Sequence, residues 1–251
     1  MRILITGAAG KLGRALRKEL SAAGHQLRLA DVKAIDHPEG EGVVLDVSDG
    51  QAVKKAMKDM DAVAHLAYGK LHEDRCARVA SSFDVNAKGT FYLLDAARKC
   101  KIKRFVYSST LSVFGSSQRL GKKMWDEQCP VDPPEVYALT KYFGEEICRF
   151  FATHRELSVV CLRLCHLVND GQWRFLNSFK PKKRVGMHWR SMTTHVSDAA
   201  RAIHLALTVP KIRFEVIHVA ADNEGRVTRI DKAEKILGFR PKRKLRGFKL
   251  R

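Results

Sequence analysis

Short apolar runs alternate with amphipathic segments along the chain. Runs rich in β-branched residues and leucine, bounded by glycine or polar residues, predict strands at 2–6, 26–31, 42–47, 61–67, 103–110, 158–165 and 214–220. Apolar residues at helical spacing predict helices at 11–24, 50–60, 80–100, 137–154, 196–208 and 229–238. Strands that alternate with helices are typical of βαβ units, so we predict an α/β fold with a doubly wound parallel sheet.

A glycine-rich turn joins the first predicted strand to the first predicted helix. It reads "TGAAGKLG" and places glycine at positions 7, 10 and 13. Glycine lets the backbone turn tightly and approach a pyrophosphate, whose charge is met by the helix N-terminus. Three glycines in this phase and context favour a dinucleotide-binding turn over an ordinary strand-to-helix connection.

Asp31 ends the second predicted strand. A carboxylate there can accept hydrogen bonds from an adenosine ribose and repel an additional phosphate, which predicts NAD as cofactor and makes NADP the weaker alternative. Lys33 and Arg14 argue in the other direction, because a nearby cation can accommodate a phosphate. Asp46, at the end of the third predicted strand, either meets the adenine amine or is an ordinary turn residue.

Tyr137 and Lys141 are four residues apart, which places them on one face of the predicted helix. A lysine ammonium favours the phenolate and so lowers a tyrosine pKa, which would make the tyrosine a base for a substrate alcohol. The spacing alone describes a solvated helix face equally well. The pair follows a strand that ends in the hydroxyl-rich "SSTLSVFG" (108–115), however, and strand ends of this kind meet at the ligand crevice of α/β sheets.

The sequence resembles the NAD-dependent epimerase/dehydratase family, the extended short-chain dehydrogenase/reductases. The resemblance rests on "TGAAGKLG", Asp31, "LDV" (45–47), "HLA" (65–67), "DVNAKGT" (84–90), "SSTLSVFG", "YALTK" and, more weakly, "HVSDAARA" (195–202). It implies a Rossmann fold, with a core over 1–165 that holds NAD and the catalytic residues. It also implies a reduced substrate-binding portion over 166–251 that returns some elements to the core.

The resemblance implies a role for each matching residue. Tyr137 would be the acid/base, Lys141 would bind the nicotinamide ribose, and Thr110, rather than its neighbour Ser109, would hydrogen-bond the reacting oxygen. The residues implied in cofactor binding are Gly7, Gly10, Lys11, Leu12, Gly13, Asp31, Asp46, Val47, Leu66, Ala67, Asn86, Ser108, Tyr137 and Lys141.

Two departures from the family pattern bear on the substrate. His166 stands where nucleotide-sugar epimerases commonly have an asparagine that helps bind the substrate, so it is either a substrate ligand or a plain strand-end residue. The region from 171 to 195 is short, as in the compact family members that oxidise a free uronate. Arg190, in a basic segment at 179–190, is our candidate for binding an anionic group of the substrate.

These features favour an NAD-dependent sugar dehydrogenase or epimerase that acts on a sugar or an anionic sugar derivative. A nucleotide-sugar epimerase or dehydratase is the alternative within the family, and a non-catalytic NAD(P)-binding regulatory protein is the alternative outside enzymes. The intact tyrosine and lysine argue against the last.

Composition and charge add few constraints. The 251 residues carry a net charge of +19, but no motif for nucleic-acid recognition accompanies it, so nucleic acid is an improbable partner. We interpret the basic tail, with Arg243, Lys244 and Arg246, as solvated surface or an oligomer edge. Six scattered cysteines form no metal-ligand pattern, and neither a membrane span nor a signal peptide is visible. We therefore expect a cytoplasmic protein without metal, which can form a homodimer.

Overall fold

The protein is described here by a computed structural model that covers residues 1–69, 73–115, 124–178, 192–223 and 226–245. The strands in these ranges are β1 (Arg2–Thr6), β2 (Gln26–Asp31), β3 (Glu41–Val44), β4 (Ala62–His65), β5 (Arg104–Thr110), β6 (Val159–Leu164), β7 (His166–Val168), β8 (Thr193–His195) and β9 (Phe214–Val219). The helices are α1 (Lys11–Ala22), α2 (Gly50–Met57), α3 (Arg75–Phe83), α4 (Thr90–Lys99), α5 (Val136–His154), α6 (Asp170–Ser178), α7 (Val196–Thr208) and α8 (Asp231–Leu237).

Seven strands form one parallel sheet in the order β3-β2-β1-β4-β5-β6-β9. Strand order reverses between β1 and β4, and the register pairs Thr6 of β1 with Ala30 of β2 on one side and with His65 of β4 on the other. The carboxyl ends of the central strands therefore meet at one edge, where open α/β sheets bind ligands. This topology confirms the predicted doubly wound α/β fold.

Helices cover both faces of the sheet and bury two apolar cores. One core packs α1 and α7 against the sheet through residues such as Leu16 and Ile203. The other packs α2, α4 and α5 through Val53, Leu93 and Phe151. Because both faces are covered, β4, β5 and β6 are buried along their whole length, and their sequences lack the regular apolar–polar alternation of a half-exposed strand.

The helix predicted at 80–100 is interrupted. Its middle, Asp84–Gly89, is a π-helical segment between α3 and α4, in which Asn86 and Gly89 are buried. A Cβ on Gly89 would lie 2.7 Å from Cγ2 of Val47, so only glycine lets the helix approach the loop after β3 this closely. Helical spacing in the sequence does not reveal a π segment, because one additional residue per turn hardly changes the apolar pattern.

The region after residue 165 contributes strands and helices to the main core and also forms a small part outside the main sheet. β9 completes the sheet beside β6, and α7 packs on α1. A small parallel pair, β7 and β8, and the helix α6 lie outside the main sheet, and neither was predicted, because both strands have three residues and α6 buries only Trp173.

The start of the basic tail is docked on the core, which our expectation of a solvated tail did not anticipate. The buried carboxylate of Asp198 accepts hydrogen bonds from the backbone amides of Lys242 and Arg243, at 3.0 Å each. The side chain of Arg243 pairs with Asp170 at 2.8 Å, and Lys244 pairs with Asp222. Arg246, the last of the three tail residues named in the sequence analysis, lies outside the described residues.

None of the described helices is long and apolar enough to cross a membrane.

Gly144 makes the closest contact between α5 and the sheet, and we expect Gly144→Ala to destabilise the protein. A Cβ there would lie 2.1 Å from the hydroxyl oxygen of buried Tyr107, so the helix or the ring must move, at a cost of about 1–3 kcal/mol. Gly171→Ala in α6 is the matched control, because its Cβ would meet nothing closer than 3.6 Å. The control should be neutral or stabilising by up to about 1 kcal/mol. Urea unfolding measures both, and equal stabilities of the two variants would contradict the analysis.

Candidate active site

A crevice of about 1190 Å³ runs across the carboxyl ends of the central strands. It is lined by the glycine turn after β1, by the ends of β2, β4, β5 and β6, by the first turns of α5 and by the start of β7. The crevice brings together most of the residues that the sequence singled out: Gly7, Gly10, Lys11, Leu12, Gly13, Asp31, Asp46, Val47, Leu66, Ala67, Ser108, Thr110, Tyr137, Lys141 and His166.

The glycine turn is shaped by close backbone contacts. Gly7 has φ of 73°, and a Cβ there would lie 2.7 Å from the backbone nitrogen of Ala67. A Cβ on Gly13 would lie 2.4 Å from the carbonyl oxygen of Gly7. Both positions therefore require glycine. Among the described residues, no side chain caps the first turn of α1, so its amides are available to an anion at the crevice.

Asp31 is held in place at the far end of the crevice. Its two carboxylate oxygens accept hydrogen bonds from the backbone amides of Ala9, at 3.0 Å, and Lys33, at 3.1 Å. Arg14, exposed on α1, donates to the carbonyl of Ala9 at 2.6 Å. A carboxylate and two cations therefore share this end of the crevice. Asp46 is exposed, and its Oδ1 accepts a hydrogen bond from the amide of Ser48 at 2.8 Å, so it stabilises the turn as well as lining the crevice.

Tyr137 lies in the first turn of α5, against the end of β5. Tyr137 and Thr110 both line the crevice there. Thr110 itself accepts from the amide of Ser112 at 3.1 Å, which orients its hydroxyl. The neighbouring Ser109 instead donates to the carboxylate of buried Glu145. Of the two adjacent hydroxyls, only that of Thr110 is placed to share a substrate oxygen with Tyr137.

Lys141 is buried one turn behind Tyr137, with 2% of its surface exposed. Its Nζ lies 4.6 Å from the ring centroid of Tyr107 and has no hydrogen-bond partner among the described residues. Burial lowers the pKa of Lys141 to about 7, against the opposing influence of Cys148 and Glu145. Lys141 therefore changes between its charged and neutral forms near neutral pH.

Burial also raises the pKa of Tyr137 to about 12, with a smaller contribution from Tyr68 and an opposing one from the nearby Thr110 hydroxyl. We expected Lys141 to lower the tyrosine pKa, and that effect does not prevail in this structure. The reason is that desolvation penalises both charged forms at once: it disfavours the phenolate, and it also removes charge from the lysine that would stabilise it. A cationic group in the crevice is needed to favour the phenolate near neutral pH.

A buried ion pair holds α5, the helix that carries Tyr137 and Lys141, to the sheet, and sequence reasoning missed it. Glu145 of α5 accepts hydrogen bonds from Nη2 of Arg163 on β6 at 2.7 Å and from its Nε at 2.9 Å. Glu145 is fully buried and also binds the Ser109 hydroxyl. The only signal in the sequence was a glutamate four residues after Lys141, within a helix whose inward face was otherwise apolar.

Asn86 does not line the crevice but supports it. Its Oδ1 accepts from the amide of Gly69 at 3.1 Å, and its Nδ2 donates to the hydroxyl of Thr140 at 3.0 Å. Both polar atoms of this fully buried side chain are therefore engaged by the loop after β4 and by α5. We expected Asn86 to be structural or to lie on the cofactor side; its side chain is engaged by these protein partners, and a role in cofactor binding stays a prediction.

A second buried network links the glycine turn to the π-helical segment. The hydroxyl of Thr90 donates to the carbonyl of Asn86 at 2.7 Å, so it must accept from Nε2 of His65 at 3.1 Å. Nδ1 of His65 then accepts from the hydroxyl of Thr6 at 2.7 Å. Burial lowers the pKa of His65 well below its usual value, which keeps this imidazole neutral.

The predicted substrate residues have different outcomes. His166 begins β7, is exposed, and lines the crevice, where burial and the nearby Lys11 lower its pKa. Lys11 donates to the carbonyl of Leu167 and to Oε1 of Gln172, at 3.2 Å each, and so joins α1 to the β7–α6 region. Arg190 and the basic segment at 179–190 lie outside the described residues.

Two features of the site fit a dinucleotide. The glycine turn offers a backbone surface without side chains beside the uncapped end of α1, and Lys141 offers a buried Nζ without a partner among the described residues. A sequence model of the NAD dependent epimerase/dehydratase family matches residues 3–220. The chain belongs to this family. It is therefore an NAD-dependent enzyme, of a family that contains oxidoreductases, epimerases and dehydratases.

Known proteins similar to the chain include two curated enzymes. A uronate dehydrogenase from Pseudomonas syringae pv. tomato is 29% identical over 89% of the chain and 75% of its own length. A dTDP-glucose 4,6-dehydratase from Streptomyces niveus is 31% identical over 94% of the chain and 77% of its own length. A solved structure of a mutated uronate dehydrogenase superposes with a TM-score of 0.79 at 28% identity, covering 97% of the chain and 82% of that protein.

The burial of Lys141 predicts how stability depends on pH. The unfolded lysine has a pKa near 10.5 and the folded one about 7, so between these values only the unfolded state holds the proton. The contribution of Lys141 to the free energy of unfolding therefore increases as the pH rises from about 7 to 10.5. Lys141→Met removes the penalty of burying the charge, so it should stabilise the protein most at pH 6.5, by up to a few kcal/mol, and least at pH 10.

Urea unfolding of the native protein and of Lys141→Met at pH 6.5, 8 and 10 measures this effect. Lys18→Met is the control, because Lys18 is exposed on α1. Its stability should parallel that of the native protein at every pH. If the stability of Lys141→Met also ran parallel to that of the native protein at every pH, burial would not disfavour the charged form of Lys141.

Proposed function

We propose that the protein is an NAD-dependent dehydrogenase that oxidises a sugar, and that its substrate is a free hexuronate. The observation that carries the proposal is that Thr110 and Tyr137 line one crevice, with the buried Lys141 one turn behind Tyr137. The similarity to uronate dehydrogenases in sequence and in structure supports the substrate class.

The chain's own groups suit the oxidation of an alcohol. The Thr110 hydroxyl holds the substrate oxygen beside Tyr137, whose phenolate form takes the alcohol proton. Bound NAD would supply the acceptor for the hydride that leaves the carbinol carbon. Lys141, with a pKa of about 7, can hold a proton at Nζ or release it at neutral pH, and so sets the charge next to Tyr137. Lys141 is buried, so little water screens its charge from Tyr137.

An epimerase or dehydratase that acts on a nucleotide sugar is the competing function, because it uses the same tyrosine and lysine. The similarity to the dTDP-glucose dehydratase supports it. A non-catalytic NAD-binding protein is less well supported, because such a protein has no need for the intact Thr110–Tyr137 pair or for a lysine that is costly to bury.

Initial rates with NAD separate these functions. The purified protein is given D-glucuronate, D-galacturonate, the corresponding neutral hexoses and UDP-glucose, and NADH is followed by absorbance. We expect NADH formation with a uronate and little with the neutral hexoses. An epimerase would form no net NADH but would convert UDP-glucose to UDP-galactose, which chromatography detects. That result, without uronate oxidation, would refute the proposal.

Tyr137→Phe removes one oxygen from the proposed base and keeps the ring. We expect turnover with the best uronate to fall by about a hundredfold or more, which is the scale for losing a positioned acid/base. NADH affinity, measured by fluorescence titration, should stay within about twofold. Tyr142→Phe is the control, because Tyr142 is on the same helix but does not line the crevice. An active Tyr137→Phe enzyme would show that another group takes the proton.

We further propose that the protein forms a homodimer through four aromatic side chains. Phe83, Phe91, Phe143 and Phe150 are each about 40% exposed, on the neighbouring helices α3, α4 and α5. The ring centroids of Phe83 and Phe143 are 6.1 Å apart, and Phe91 and Phe150 both pack on Phe151. Exposed aromatic side chains on neighbouring helices are typical of a protein–protein contact, and a second copy of the chain presents the same side chains.

Sedimentation velocity tests the dimer. The native protein should sediment as a dimer, and the double variant Phe91→Glu, Phe150→Glu as a monomer. Phe175→Glu is the control, because Phe175 is 64% exposed on the distant helix α6, and it should leave the dimer intact. A monomeric native protein would refute the proposal.

We place the protein in the cytoplasm. All six cysteines are free thiols, and two of them, Cys76 and Cys100, are exposed on the surface. Exposed thiols without disulfide partners are typical of a reducing compartment.

A further inference from the structure

Tyr68 is a crevice residue that sequence reasoning did not single out. It follows β4, and its ring centroid lies 6.2 Å from that of Tyr137, with the two ring planes at 81°. The side chain is 56% exposed although it lines the crevice. A large aromatic side chain, more than half exposed and in contact with the proposed base, is a surface that a ligand can cover.

The backbone on both sides of Tyr68 is anchored. The amide of Ala67 lies 3.5 Å from the hydroxyl oxygen of Thr6, and the amide of Gly69 donates to Asn86 at 3.1 Å. A Cβ on Gly69 would lie 2.4 Å from the carbonyl oxygen of Ser81, so the backbone at Gly69 packs directly against the backbone of α3. The Tyr68 ring is therefore held on a fixed backbone that places it at the crevice.

The exposed ring suits a sugar. A pyranose has a face of C–H groups that packs on an aromatic ring, while its hydroxyls point to the sides, toward polar groups such as Thr110 and Tyr137. The perpendicular contact with Tyr137 leaves much of the Tyr68 ring uncovered, as its exposure shows. A sugar whose carbinol group reaches Tyr137 lies within contact distance of this ring.

We infer that Tyr68 is a specificity-determining residue whose ring forms a stacking wall for the sugar of the substrate. The inference rests on the proposed function, since it takes a sugar as the substrate. The wall acts through the ring and not through the hydroxyl, and it binds the substrate and not the cofactor. Removing the ring should therefore weaken sugar binding and leave NADH binding unchanged, whereas removing only the hydroxyl should leave both unchanged.

Three variants test the wall: Tyr68→Ala, Tyr68→Phe and, as a control, Phe175→Ala, which removes an exposed ring on α6. Saturation-transfer NMR measures the binding of D-glucuronate, D-galacturonate and D-galactose to each protein in the presence of NADH. Fluorescence titration measures NADH affinity, and steady-state rates give KM and kcat. We expect Tyr68→Ala to weaken sugar binding and raise KM by about three- to tenfold, with the NADH dissociation constant within about twofold. Tyr68→Phe and Phe175→Ala should match the native protein.

Each other outcome overturns the inference. Unchanged sugar binding in Tyr68→Ala shows that the ring is no wall, and a parallel loss of NADH affinity shows that it serves the cofactor. Equal losses in Tyr68→Phe and Tyr68→Ala show that the hydroxyl acts instead. A native protein that binds a sugar but does not oxidise it contradicts the proposed function alone, and the binding comparison still decides the wall. A native protein that binds none of the three sugars contradicts both.

Discussion

The ion pair between Glu145 and Arg163 is the interaction on which the geometry of the site depends. Two charges buried between a helix and a strand are costly unless each is paired and hydrogen-bonded. Here the carboxylate binds the guanidinium twice and also accepts from Ser109 on the neighbouring strand. Helix α5 is thereby held to β5 and β6 at one rotation and one height, because loss of either partner would leave an unpaired buried charge. That rotation places Lys141 and Tyr137 at the end of β5.

The crevice itself follows from the parallel sheet. Parallel strands end at one edge, and strand order reverses between β1 and β4, so helices on opposite faces leave a gap there. Inside that edge, His65 hydrogen-bonds to Thr6 beneath the glycine turn and to Thr90 beside the π-helical segment. Asn86 continues the connection to Thr140 in the first turns of α5. The phosphate side and the catalytic side of the crevice are therefore parts of one buried polar framework.

Burial also sets the chemistry of the two titrating groups. It raises the pKa of Tyr137 to about 12 and lowers that of Lys141 to about 7, so near neutral pH Tyr137 keeps its proton and Lys141 is divided between its charged and neutral forms. A positive charge in the crevice has a large influence on such a pair, because little water remains to screen it. The protonation of Tyr137 and Lys141 therefore depends on the charge of what occupies the crevice.

Local features of the sequence determined much of this structure in advance. The order of strands and helices, the doubly wound sheet, the glycine turn and the Tyr137–Lys141 pair all depend on neighbours a few residues away, where apolar period, glycine phasing and helical spacing act directly. Element ends were predicted less well, as at the strand expected over 42–47, which ends at Val44, because the last residues of an element depend on tertiary contacts.

Only the tertiary structure decided the rest, because the partners are far apart in the chain. Ser109 and Thr110 are adjacent and similar; a glutamate thirty-six residues away binds the Ser109 hydroxyl, while Thr110 lines the crevice with Tyr137. The π-helical segment, the positioning role of Asn86 and the docking of the tail on Asp198 likewise depend on packing between distant elements. Tyr68 has no local signature: its ring meets Tyr137 because β4 ends and α5 begins at the same edge of the sheet.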